Sequence, residues 1–119
     1  MKTLKLILTL LFGAIMLLAG INHFVKPAMY LPFIPEFLPK VTINYLVGIA
    51  EIVVGVGAFI PRFRSMATLG ILLLMLVFLP LHIIDVYSQT PAIGSHQFAL
   101  IRLPIQFVLI LWAWFIYKK

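Results

Sequence analysis

Four apolar stretches, at 4–25, 41–60, 65–87 and 98–117, divide the chain, with prolines and charges gathered between them. A helix needs about 20 predominantly apolar residues to cross the hydrocarbon core of a bilayer, and each stretch has that length. The pattern predicts an all-α protein, a transmembrane four-helix bundle forming a single membrane domain over 1–119. Residues 26–40 read KPAMYLPFIPEFLPK, where Pro27, Pro32, Pro35 and Pro39 exclude a long helix. Tyr30, Phe33 and Phe37 are too apolar for a free loop. The segment is therefore expected as a short interfacial lid between helices 1 and 2. Pro61, Arg62, Phe63 and Arg64 make a tight basic turn, and SQTPAIGSHQ at 88–97 forms the second loop on the lid side.

The second stretch carries the feature that the others must answer. NYLVGIAEIVVG, at 44–55, places Glu51 near the middle of its span, roughly 14 Å along the helix from Thr42 at about 1.5 Å per residue. A carboxylate at that depth costs about 2.5–3.5 kcal/mol even on the lenient insertion scale, so it must be paired, protonated or wetted. At about 100° per residue, Asn44, Gly48, Glu51 and Gly55 fall within an arc of about 60°. This helix thus has one polar, small-residue stripe. In the first stretch Gly13, Ala14, Ala19 and Gly20 permit close helix approach, and Asn22 and His23 close it. Its basic start resembles a secretory signal, but the apolar run to Val25 exceeds the ~7–15 residues of a signal core, so it is read as a span. In the third stretch Pro80 removes the donor for the Leu76 carbonyl, and His82 and Asp85 share a face. In the fourth, Arg102 and Gln106 share a face, and Pro104 is read in the opening turn.

Composition agrees with a membrane class. The chain of 119 residues is 64% hydrophobic and 10% charged, where soluble domains average about 45–50% and about 25%. The net charge of +6 does not indicate nucleic-acid binding, because the basic residues sit at segment ends and not along a stripe. The absence of cysteine excludes thiol redox chemistry, iron–sulfur ligation and cysteine zinc sites on this chain alone. No internal repeat or low-complexity tract is present.

Lys2, Lys5, Arg62, Arg64, Lys118 and Lys119 fall on one side of the four spans, against Lys26 and Lys40 on the other. The positive-inside bias puts both termini in the cytoplasm. In that topology His23, Asn44, His82, Asp85, Arg102 and Gln106 all reach the outer half, with Glu51 deeper. Intramembrane ionisable groups usually face the bundle interior and pair. The expectation is an outward-facing polar pocket under the lid, with Glu51 at its floor, Arg102 as its partner and Asp85 competing for that arginine.

INHFVKPAMYLPFIPEFLP, GIAEIVVGVGAFIPRFR, the proline-centred LPLHI and IRLPIQFVLILWAW, in that order, resemble the DoxX-like family of small four-span membrane proteins. The resemblance covers nearly the whole chain and carries over His23, Glu51, Pro61, Arg62, Arg102, Pro104 and Gln106 as motif positions. Relatives commonly have Asn where this chain has His82. The resemblance implies membrane redox work, since family members include a subunit of a thiosulfate:quinone oxidoreductase, and it implies residence in the bacterial cytoplasmic (inner) membrane.

Two classes of function follow. In one, the pocket binds a quinone-like or other lipophilic small molecule: His23, Arg102 or Gln106 bond its headgroup and Glu51 or His82 move protons, with Asn44 and Asp85 as further ligand-binding or proton-transfer candidates. No residue here carries electrons, so a redox protein partner is then required. In the other, the chain is a non-catalytic accessory or assembly subunit, alone or as a homo-oligomer, whose Glu/Arg/His core organises the bundle. Haem held by His23 and His82 is disfavoured, since histidines in polar clusters usually only hydrogen-bond, and no helix carries metal-ligand spacing. Four spans without a repeat are few for a transporter. For the topology, a reporter fused after Lys119 should behave as cytoplasmic and one inserted in the 88–97 loop as external. The opposite pattern would reverse the orientation.

Overall fold

The computed structural model describes residues 2–89 and 91–118. Four long helices account for the apolar stretches: α1 Lys2–Val25, α2 Lys40–Phe59, α3 Arg64–Tyr87 and α4 His96–Tyr117. All four are long and apolar enough to cross a bilayer. Only 22–28% of the most apolar window of each helix is buried within the chain. Large side chains such as Leu18, Val53, Val77 and Leu111 point outward. A bundle that is apolar all round is at home in lipid, and this chain is an integral membrane protein.

The helices run up and down in order. The α1–α2 and α3–α4 hairpins are the most intimate pairs, α2 packs on α3, and α1 touches α4 lightly. The diagonal pairs, α1 with α3 and α2 with α4, keep their backbones apart. The lid is two short 3₁₀ turns, Pro27–Met29 and Leu31–Phe33, each with a proline near its start. That suits a sequence whose prolines forbid a longer ladder. Ile34 is buried beneath the bundle's cap.

Glycine sets the α1–α2 contact. A Cβ on Gly20 would lie 2.6 Å from the Gly48 carbonyl oxygen, and one on Gly55 would lie 2.8 Å from the Gly13 carbonyl oxygen. Backbone meets backbone at two levels seven residues apart on each helix, which only glycine permits. On α2 the stripe read from the sequence is the buried face: Asn44, Gly48, Glu51, Gly55 and Ala58. The largest apolar cluster lies in the other half of the bundle. There Phe12 and Met16 of α1 meet Ile71, Leu72 and Met75 of α3 and Ala113 and Ile116 of α4. Trp112 tilts on Phe12 at 4.6 Å and donates from Nε1 to the Leu8 carbonyl at 3.2 Å, tying α4 to α1.

One proline is placed differently from the expectation. Ser95 caps α4, its Oγ accepting from the Phe98 amide at 3.1 Å, so the helix starts at His96. Pro104 then stands inside α4, beyond the opening turn, and withdraws the donor from the Leu100 carbonyl. Both helices of the second hairpin thus carry an internal proline, Pro80 and Pro104.

Gly20→Ala should destabilise the protein by about 1–3 kcal/mol, because its Cβ meets backbone and the two helices must part. Gly70→Ala meets only the Val54 side chain and should cost less. Thermal unfolding in detergent micelles ranks the two; equal losses would contradict the close-contact assignment.

Candidate functional site

Of the expected site residues, the structure joins His23, Asn44 and Glu51 into one group between α1 and α2. Asn44 and Glu51 stand two turns apart on the buried face of α2, with Gly48 between them. A Cβ at Gly48 would come 2.8 Å from His23 Cβ, so the missing side chain is the space that His23 occupies. The imidazole then spans the gap. Its Nδ1 lies 2.7 Å from Asn44 Oδ1 and its Nε2 lies 2.8 Å from Glu51 Oε1. Asn44 is fully buried, and His23 and Glu51 are 6% and 4% exposed. Asn44 Nδ2 donates to the His23 backbone carbonyl at 3.0 Å.

These bonds define the proton inventory. With the amide nitrogen of Asn44 used on the His23 carbonyl, its oxygen faces the ring and accepts from Nδ1–H. The 2.8 Å contact between Nε2 and Oε1 then needs one proton, carried by the imidazolium or by the carboxyl. Either way the pair is neutral as a unit, which removes most of the penalty of placing Glu51 at that depth. Glu51 Oε1 has no aligned hydrogen bond among the described residues, and the 2.8 Å approach of His23 Nε2 is the polar contact it makes.

This corrects the expected partnership. Glu51 pairs with His23 and not with Arg102. The reason is the helix order: α1 is the close neighbour of α2, whereas α4 lies across the diagonal. Asp85 does not contend for the arginine either. Its Oδ1 accepts from the Ala92 amide at 2.5 Å and its Oδ2 from the Ile93 amide at 3.3 Å, fastening the α3–α4 loop to the end of α3.

A second polar group lies between α3 and α4. Gln106 is fully buried and donates from Nε2 to the Met75 carbonyl at 2.6 Å, beside the stretch of α3 whose ladder Pro80 interrupts. Its Oε1 is buried without a partner among the described residues, and so is Arg102 Nη1, one turn away on the same face of α4. Arg102 is within electrostatic reach of His82. No hydrogen bond or ion pair among the described residues joins this group to the His23–Glu51 set. In place of one chamber there are two groups on two hairpins.

The lid touches both. Tyr30 stacks on His23 with centroids 3.8 Å apart, and its hydroxyl accepts from Asn22 Nδ2 at 2.7 Å. Phe33 meets His82 edge-on at 5.5 Å. Tyr30, Phe33 and the Met75 carbonyl were not anticipated as parts of the site. The aromatic spacing of the lid was the available signal for the first two; a backbone carbonyl leaves none. Both ring nitrogens of His23 are engaged, so haem or metal ligation by it would require breaking this set. The two prominent cavities lie elsewhere, toward the basic end of the bundle. One, of about 510 Å³, is an apolar groove between α2 and α3 around Val54, Gly57 and Phe63, and the other, of about 360 Å³, is lined by Lys2, Lys5 and Arg64.

Residues 12–117 match the model of a family described as a domain of unknown function, DUF8561, and the chain belongs to that family. No curated protein and no solved structure matches it.

The pairing is open to a double-mutant cycle. His23→Leu should cost about 3–5 kcal/mol, since it strands a buried carboxyl, and Glu51→Leu added to it should recover much of that loss. Arg102→Leu combined with Glu51→Gln should be additive within about 0.5 kcal/mol. Denaturant unfolding in micelles gives both cycles; strong coupling in the second and none in the first would return Arg102 to the role of partner.

Proposed function

We propose that this DUF8561 protein is a DoxX-like membrane protein that holds a quinone-like or other lipophilic small molecule at the α3–α4 face of its lid end, as part of a membrane redox system. The observation that carries the reading is the pair of unpartnered buried atoms on α4, the Arg102 Nη1 donor and the Gln106 Oε1 acceptor. Leaving such groups unpaired costs about 1–3 kcal/mol each, and more for a charged one. The two redox forms of a quinone answer them in turn, the oxidised form with a carbonyl oxygen for Arg102 and the reduced form with a hydroxyl for Gln106. The Arg102 N–H donates to the carbonyl oxygen, and Gln106 Oε1 accepts from the hydroxyl. His82, within electrostatic reach of Arg102 and against the edge of Phe33, would exchange a proton with the bound molecule. The apolar outer surface of α3 and α4 suits a long tail. The DoxX-like motifs support the same reading, with Arg102 and Gln106 among their positions, and with them residence in a bacterial cytoplasmic membrane and a redox protein partner to supply electrons.

The accessory-subunit reading is favoured by a different observation. The His23–Asn44–Glu51 set closes on itself, and each of its bonds docks α1 on α2. In that case the buried polar groups organise the bundle and no small molecule is held.

The test is titration of the protein in lipid nanodiscs with a short-chain ubiquinone analogue, followed by quenching of Trp112 and Trp114 on α4. Saturable quenching is expected, with apparent affinity lowered about 10- to 100-fold in Arg102→Leu. The melting temperature of that variant should be unchanged or higher, because Arg102 Nη1 has no partner to lose. Quenching that does not saturate, or is identical in the variant, would favour the accessory reading.

A further inference from the structure

The bundle end opposite the lid holds a cleft that the proposed function does not use. It is formed by the start of α1, the start of α3 and the end of α4, and has a volume of about 360 Å³. We infer that this cleft binds the phosphate group of an anionic phospholipid headgroup.

Charge is the first argument. Lys2 and Lys5 of α1 and Arg64 of α3 converge on the cleft. The chain has only three acidic residues, and all lie elsewhere: Glu36 in the lid against Lys40, Glu51 against His23, and Asp85 on the α3–α4 loop. Among the described residues no acidic side chain therefore balances these cations. The apolar part of the wall, at Leu6 and Ile116, strengthens the demand of these like charges for a counter-charge.

Preorganisation is the second. Arg64 Nε donates to the Ala58 carbonyl at 2.8 Å, in the last turn of α2, and Lys5 Nζ donates to the Lys118 carbonyl at the end of α4. Each cation is thus held at the negative end of a helix, which orients it while offering only about half a unit of opposing charge. Arg64 has five N–H donors and Lys5 three, so one backbone bond apiece leaves most of their capacity for an anion. α3 starts at this cleft with no side-chain cap and no acid in its first turn, so its amide dipoles add to the positive field.

The third argument identifies the carrier of the phosphate. Leu6, Ile116 and Tyr117 line the cleft alongside Thr9, Ser65 and Thr68, and Leu6 is 40% exposed on the outer, apolar face of α1. The cleft therefore continues onto the lipid-facing surface. Tyr117 pairs with Trp114 at 6.2 Å, an aromatic pair of the kind that marks headgroup depth. The volume falls near the lower end of small-molecule sites, roughly 300–1,000 Å³, which is room for a headgroup.

The experiment is native mass spectrometry of the full chain, delipidated in detergent and then equilibrated with phosphatidylglycerol or phosphatidylcholine. Phosphatidylglycerol should be retained preferentially. Lys2→Gln/Lys5→Gln, which leaves the Arg64 bond to α2 intact, should weaken its retention about tenfold or more. Arg62→Gln serves as the control: Arg62 lies over the Phe63 ring at 5.5 Å, outside the cleft, and its loss should change retention little. Equal retention of the two lipids, or an equal effect of Arg62→Gln, would show general surface attraction and overturn the site. Inorganic phosphate that binds the delipidated protein as well as phosphatidylglycerol does would overturn the lipid assignment in favour of a soluble phosphate.

Discussion

The fold depends on keeping a carboxyl group neutral in the middle of a greasy bundle. Glu51 reaches neutrality by sharing one proton with His23 across 2.8 Å, and much of the α1–α2 hairpin follows from that contact. The imidazole fits because residue 48 has no side chain, and it is oriented because Asn44 grips both its ring and its backbone carbonyl. The close approach needed for a 2.8 Å contact is available because Gly13 and Gly20 of α1 meet Gly55 and Gly48 of α2 backbone to backbone. The small residues and the ionisable ones therefore belong to one device. Without the glycines the pair would be pulled apart, and without the pair the glycine contact would carry a buried charge.

The lid adds to this device. Tyr30 stacks on the imidazole and is itself held by Asn22, one residue before His23. Its position is thus fixed from α1, although it arrives from the segment after it. Phe33, three residues on, lies against His82 of the other hairpin. A short proline-broken segment with aromatics three apart spans both hairpins, which a longer helix leaving α1 would not do.

Much of this was legible in the sequence, and what was not has a common cause. Helix periodicity correctly grouped Asn44, Gly48, Glu51 and Gly55, because they share one helix and spacing alone decides which face they occupy. Periodicity says nothing about which helix that face meets. Charge logic favoured Arg102 as the partner of Glu51, yet the lid segment between α1 and α2 makes those helices neighbours and leaves α4 across the diagonal. His23 stands three residues after Gly20, on the buried glycine face of α1, a spacing present in the sequence that the charge argument passed over. Pro104 was misplaced for a local reason: the Ser95 cap, visible as a serine three residues before Phe98, starts α4 earlier than its apolar stretch begins. The Met75 carbonyl, as main chain, has no sequence signature at all.

The two hairpins differ in kind, and the difference bears on where the proposed small molecule would be held. The first is the more closed: His23, Asn44 and Glu51 approach one another within 2.7–3.0 Å, and its helices touch through glycine. The second carries Pro80 and Pro104 within its helices, each removing a rung from the backbone ladder. Gln106 uses its amide nitrogen on the backbone near one of these breaks, while its oxygen and a guanidinium nitrogen of Arg102 stay buried and unanswered. A hairpin evolved only for packing would gain by replacing those two atoms with methyl groups, since an apolar core is more stable than a half-satisfied polar one. Under the proposed function a bound molecule offsets that cost at the second hairpin, while the first hairpin fixes the shape of the bundle.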